Sequence, residues 1–253
     1  LPNIRLVLEY DGAAFYGWQR QKELRTVQGE LEGTLCRILQ ENVSLTGAGR
    51  TDAGCHASCQ VANFKSGSLM PLERMAHAIN GLMRGEVVVR HIDAVPDGFN
   101  ARFSAVSRTY GYLIATRPTA LMRGRTWAVR KPLDTGSMNE ACSALLGERD
   151  FSGFCKRNER TERNPVCRVM KAEWAPWELG VRLEITADRF MQGMVRMIVG
   201  TAVRIGTGSV RPVYVKQILE GVEGHRAGPA APARGLCLLR VEYGGANALN
   251  LGE

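Results

Sequence analysis

The sequence predicts an α+β fold of two successive halves, each running β-α-β-β-α-β with an antiparallel sheet and helices on one face. Three observations lead there. Strand-like alternation opens each half, at residues 4–10 and again at 107–116. Apolar residues at helical spacing recur between strands, as at Val27, Leu31, Leu35 and Ile38. The order of elements repeats although no residue-level repeat does, and 253 residues allow one large domain or two modest ones.

Residues 4–10 read as a strand, stopped by Asp11 and Gly12. The segment 15–21 is aromatic, rich in amides and too polar for a core element. Thr26 predicts the N-cap of a helix that carries Val27, Leu31, Leu35 and Ile38 on one side. Strands are predicted at 43–48 and 57–65, bracketing a turn around Asp52. Pro71 predicts the start of a second helix with Leu72, Met75, Ile79 and Leu82 inward. The β-branched run 86–94 closes the first half.

In the second half, the strand at 107–116 carries Tyr110, Tyr112 and Ile114 on one face. Trp127 and Val129 mark a short strand, and Met138, Ala141, Cys142 and Leu145 mark a helix behind Asp134. Residues 167–174 and 181–187 read as a hairpin turning at 176–180. Helices are predicted at 191–205 and 213–219, then a Gly-, Pro- and Ala-rich loop at 221–234 and a last strand at 236–243. The order is the split β-α-β, ferredoxin-like one, twice over. The predicted domains are 1–103 and 104–253.

Lys and Arg number 33 against 25 Asp and Glu, for a net charge of +8, and arginine dominates. Arginine suits bidentate contact with phosphate, so the balance points to a polyanionic partner, nucleic acid first. Simple solubility through charge is the competing explanation. Basic stretches at 121–130 and 156–168 would hold backbone phosphates through Arg123, Arg125, Arg157 and Arg160. Arginine interrupts every long apolar run, including 194–205, so no transmembrane span is expected. Seven cysteines without a regular framework fit a reducing cytoplasm. No phosphate-cradling glycine loop and no redox motif is found, so no cofactor is expected.

The stretch G-A-G-R-T-D-A-G-C-H-A at 47–57 sets Arg50 and Asp52 among three glycines. In an extended segment, residues two apart point to one side, about 6.5–7 Å apart, so Arg50 and Asp52 would face the same space. By local chemistry alone, a glycine-rich hairpin with a solvated ion pair is the commoner outcome of such residues.

This stretch resembles the active-site signature of the TruA family of tRNA pseudouridine synthases. Four further segments resemble that family in order: the opening Y-D-G-x-x-F-x-G-W-Q-x-Q from Tyr10, R-F-S-A-V-S-R-T-Y-G-Y at 102–112, A-D-R-F-M-Q-G-M-V-R-M-I-V-G at 187–200, and A-G-P-A-A-P-A-R-G-L at 227–236. Departures from the family pattern are Cys55, Met191 and Ala230, none of them a catalytic group. The resemblance implies a duplicated architecture with a catalytic cleft between the halves. It implies Asp52 as the catalytic carboxylate, Tyr110 as the active-site tyrosine, Arg196 as the cation paired with Asp52, and Leu236 as an apolar contact to the target base. Arg50 would occupy the space of an extruded nucleotide. The implied substrate is tRNA, at positions 38–40 of the anticodon stem-loop, and the implied assembly is a homodimer.

A lone carboxylate fits such an isomerisation. Glycoside hydrolysis needs a second carboxyl group to activate water, whereas here the detached base itself returns, through C5 in place of N1. The alternative is a non-catalytic RNA-binding protein with aromatic strands as stacking platforms. A metal site at Cys55, His56 and Cys59 is disfavoured, because on a strand Cys55 and Cys59 lie about 13 Å apart. The triplet Asp134-Thr135-Gly136 matches an aspartic-protease motif but sits where a helix cap belongs.

Overall fold

The structure, a computed structural model, describes residues 1–155 and 164–249. Ten strands, mostly in antiparallel pairs, and five α-helices run through the described residues, an α+β fold as the sequence predicts. They form two compact units. One is Leu1–Ser107 with the described residues from Leu238 onward; the other is the described part of Arg108–Cys237.

In the first unit, β1 (Asn3–Tyr10) pairs antiparallel with both β3 (His56–Lys65) and β4 (Val87–Val95). The last strand, β10 (Leu236–Tyr243), bonds to β3, so the unit contains chain from both ends of the sequence. Helices α1 (Val27–Leu39) and α2 (Leu72–Met83) pack on one another, and α2 packs on β4. Thr26 caps α1 as predicted, its Oγ1 accepting from the Gly29 N–H at 3.2 Å. Val27, Leu31 and Leu35 are fully buried, and Ile38 is half-buried. Nearly every residue of β1 is buried, which mutes the alternation the sequence suggests.

Three expectations change here. The strand predicted at 43–48 shrinks to β2 (Thr46–Gly47), because side chains of α1 take the ladder's place. Leu45 N–H donates to Glu32 Oε1 at 3.0 Å, and Gln28 Nε2 donates to the Leu45 carbonyl at 3.1 Å. Leu82 is 43 % exposed, because burial on α2 follows the row Met75, Ile79, Met83. Residues 50–52 lie in a loop, so strand geometry does not set Arg50 and Asp52 on one side.

In the second unit, β5 (Ala105–Ala115) pairs antiparallel with β9 (Gly180–Ala187), which pairs with β8 (Val166–Trp177). β6 (Trp127–Ala128) runs parallel to β5. A strand the sequence does not reveal, β7 (Gly147–Asp150), pairs with β8; its Gly-Glu-Arg-Asp has no apolar alternation to betray it. The hairpin turn is tighter than predicted, since Pro176 and Trp177 still pair with Val181 and Gly180. α3 (Thr135–Ser143) packs on α4 (Met194–Gly206), β8 and α5 (Tyr214–Leu219). Asp134 caps α3, its Oδ1 accepting from Gly136 and Ser137 N–H at 2.9 and 3.2 Å, which accounts for the Asp-Thr-Gly triplet. α4 begins at Met194, three residues later than predicted, because Gly193 before it takes a left-handed φ of 73°.

Candidate active site

Two of the sequence motifs meet in the first unit. Residues 11–18 leave β1 as a strap that runs against the loop 48–55, held mostly by main chain. Gly12 lies so close to Cys55 that a Cβ would sit 1.8 Å from the Cys55 carbonyl oxygen. Gly17, at φ 90°, would place one 2.7 Å from the Thr51 carbonyl oxygen. No side chain fits at either position. Trp18 N–H donates to the Thr51 carbonyl at 3.1 Å, and Gly54 N–H donates to the Phe15 carbonyl at 3.3 Å. Within the loop, Cys55 N–H donates to the Asp52 carbonyl at 3.0 Å. The Tyr10 hydroxyl lies 2.8 Å from Thr51 Oγ1, where a register shift ends the β1–β3 ladder. The backbone at Asp52 is thus held from both sides, and its side chain is half-buried.

The strap is itself anchored. Arg25 lies 4.7 Å over the Phe15 ring and bonds Glu86 at 2.9 and 2.5 Å. That guanidinium holds the Glu86 carboxyl below the usual carboxylate range, and Glu86 in turn raises Arg25. The first helical amides of α1, from Val27 and Gln28, donate to the Gly17 and Trp18 carbonyls at 3.1 and 3.0 Å. The Trp18 ring covers Gly47, where a Cβ would come within 2.5 Å of it.

The other three motifs meet in the second unit. Tyr110 on β5 is 8 % exposed, and its ring meets Phe190 edge-on at 5.2 Å. Arg196 on α4 donates from Nε to the Ala231 carbonyl at 2.7 Å, while Ala231 N–H donates back to the Arg196 carbonyl at 2.9 Å. This exchange fixes the guanidinium plane. Gly200 lets residues 228–231 cross α4 closely, for a Cβ there would meet the Pro229 carbonyl oxygen at 1.9 Å. Tyr112 is fully buried and donates its hydroxyl to the Pro232 carbonyl at 2.7 Å, with Gly235 against its ring. Leu236, at the end of that crossing, is buried. Of the two tyrosines, Tyr112 therefore braces the loop that Leu236 closes.

The remaining predicted residues are dispersed. Arg50 is exposed on its loop, and Arg123 and Arg125 are exposed on the turn before β6. Arg157 and Arg160 lie outside the described residues. Cys55 and Cys59 are buried, and burial pushes the Cys59 thiol up. Among the described residues no group of three His, Cys, Asp or Glu is arranged to hold a metal ion. No helix among them is long and apolar enough to cross a membrane. An open cavity of about 740 Å³ beside Gln19, Arg20, Glu32 and Asn42 involves none of the predicted residues. Sequence reasoning missed the bracing residues Gly12, Gly17, Phe190 and Ala231. The glycine spacing within the motifs was the available signal for the first two.

The chain matches a protein family and several known proteins over most of its length. A family profile described as tRNA pseudouridine synthase matches residues 6–104 and 141–244. The chain is 44% identical over 247 residues to the tRNA pseudouridine synthase A of Chlorobium limicola, covering 96% of this chain and 100% of that protein. It is 39% identical over 245 residues to the tRNA pseudouridine synthase A of Acetivibrio thermocellus, and 36% identical over 245 to the tRNA pseudouridine synthase A 2 of Clostridium perfringens. Both comparisons cover 96% of this chain and 100% of the relative.

Proposed function

The chain belongs to the tRNA pseudouridine synthase family, a family of isomerases, and from that premise we propose that it converts uridine to pseudouridine at positions 38–40 of the tRNA anticodon stem-loop. The observation that carries the reading is the Asp52 loop. A carboxylate whose backbone is gripped through glycine contacts and main-chain hydrogen bonds is preorganised, as a nucleophile must be.

In the proposed reaction the target nucleotide leaves the helical stack, because a stacked base hides its glycosidic carbon. Arg50 fills the vacated space. The Asp52 carboxylate is the nucleophile and bonds to C1′ as the N1–C1′ bond breaks; the same base then rejoins C1′ through C5 as the Asp52–C1′ bond breaks. The C5 proton leaves and N1 gains one, so the net change is an isomerisation that needs neither oxidant nor water. Arg196 supplies the positive charge that keeps the carboxylate ionised. Leu236 packs on the base. Tyr110 stacks on it and offers its hydroxyl for removal of the C5 proton. The same reading makes the protein a cytoplasmic homodimer. Tritium release from C5-labelled uridine in tRNA, with the modified positions mapped afterwards, tests the activity and its site together. Modification confined to other positions would overturn the anticodon assignment.

Two outcomes are expected from this mechanism. Tyr110→Phe retains the ring and loses the hydroxyl. It is expected to lower turnover more than about tenfold if the hydroxyl moves the proton and less than about threefold if stacking is the role. Replacing Arg123, Arg125, Arg157 and Arg160 with Gln should weaken tRNA binding and flatten its salt dependence, by about 0.7–0.9 in log–log slope for each phosphate no longer neutralised. Unchanged affinity and slope in the fourfold variant would mean that these arginines are merely solvated.

A further inference from the structure

His56 is a side chain of the Asp52 motif for which the reaction above has no use, yet it is only 4 % exposed. It opens β3, immediately after Cys55. Its Nδ1 lies 3.2 Å from the backbone nitrogen of Gly12, whose N–H donates to it, and 3.1 Å from Asp11 Oδ1. The two neighbours make opposite demands. The Gly12 N–H needs a lone pair on Nδ1, whereas the Asp11 carboxylate needs a proton there. One atom cannot satisfy both. Asp11 has a second role that does not depend on His56, since its Oδ1 also accepts from the Ala13 N–H at 2.9 Å. Gly12 is buried, so without Nδ1 its amide would lose its acceptor in the interior.

The Gly12 bond is one link in a short chain that ends at the carboxylate-bearing residue. His56 holds Gly12, Gly12 presses on the Cys55 carbonyl, and the Cys55 N–H holds the Asp52 carbonyl. We infer that His56 is a positioning residue for Asp52, acting as a neutral imidazole whose Nδ1 accepts from Gly12 and so fixes the strap against the catalytic loop. The inference rests on the reading of Asp52 as nucleophile. Glu86 reaches this region through its carbonyl, which accepts from the Asp11 N–H at 3.3 Å.

Two near-isosteric variants separate positioning from mere filling of space. In His56→Asn the amide oxygen occupies the place of Nδ1 and can accept from Gly12. In His56→Gln the polar end reaches the place of Nε2 instead. Expected for His56→Gln is a loss in kcat of about tenfold, equivalent to about 1.4 kcal/mol, with the Kd for tRNA unchanged. His56→Asn should stay within about threefold of the unaltered protein. Equal kcat values for the two variants, or a loss confined to Kd, would overturn the inference. If neither variant folds, the unaltered protein labelled with ¹⁵N decides it. The Gly12 amide nitrogen should show a scalar coupling to His56 Nδ1 through the hydrogen bond, and the absence of that coupling refutes the contact. An active Asp52→Asn would remove the nucleophile on which the inference rests. Equal His56 variants beside an inactive Asp52→Asn would remove the positioning role alone.

Discussion

Asp52→Asn is expected to abolish isomerisation, with turnover down by more than about a thousandfold, while tRNA binding holds or strengthens slightly. Asparagine matches aspartate in shape, and the loop around position 52 is held mainly by main chain, so the substitution leaves the scaffold in place. What it removes is the proposed nucleophile, and with it one negative charge that would face an anionic substrate. Loss of chemistry without loss of binding is therefore the signature to look for. Parallel measurement of tritium release and of tRNA Kd checks it. Release at the unaltered rate would sink the nucleophile assignment and return the RNA-binding alternative to contention.

Gly12→Ala is expected to be nearly as damaging, by a different route. The added methyl would stand 1.8 Å from the Cys55 carbonyl oxygen, and backbone lies on both sides of the clash, so no flexible side chain can give way. Overpacking of this kind costs about 1–3 kcal/mol, which for a chain of this size lowers Tm by roughly 2–12 °C. Turnover should drop as well, because the strap can relieve the clash only by leaving the loop. Gly33→Ala is the control. It lies on the exposed side of α1 with nothing within 4 Å of the new methyl, so it should raise stability by about 0.5–1 kcal/mol. A thermal melt of the two variants side by side checks both signs.

Much of this site is written locally, and what is not local is what the sequence concealed. Thr26 and Asp134 announce helix starts because a cap spans only two or three residues. Asp52 stands out because its glycines crowd into eight positions. The purpose of Gly12 and Gly17 is hidden, since each serves a backbone about 35–45 residues further along, and no periodicity encodes a close approach. The same holds for Gly200, whose partner Pro229 belongs to a loop that reads only as Gly-, Pro- and Ala-rich chain. β2 misled for a related reason. Val43 and Leu45 look like strand residues, but the amide of Leu45 is claimed by Glu32, a buried carboxylate on a helix. β7 is invisible because Gly-Glu-Arg-Asp owes its conformation to β8, not to its own composition. Tertiary structure overrode local preference in each case.

The placement of β10 bears on how the chain is made. Ser58 in β3 donates to the Leu238 carbonyl across 180 residues of sequence. A nascent chain that has completed residues 1–107 holds β1, β3 and β4 but still lacks β10, which borders β3. Until residues 236–243 emerge from the ribosome, that border of β3 presents unsatisfied amides and carbonyls of the kind that promote mispairing between chains. The unit that begins synthesis is thus among the last to be finished. Its assembly carries the loop-closure cost of the 180 residues between Ser58 and Leu238, and slow refolding limited by this closure, rather than by the helices, is the kinetic behaviour to expect.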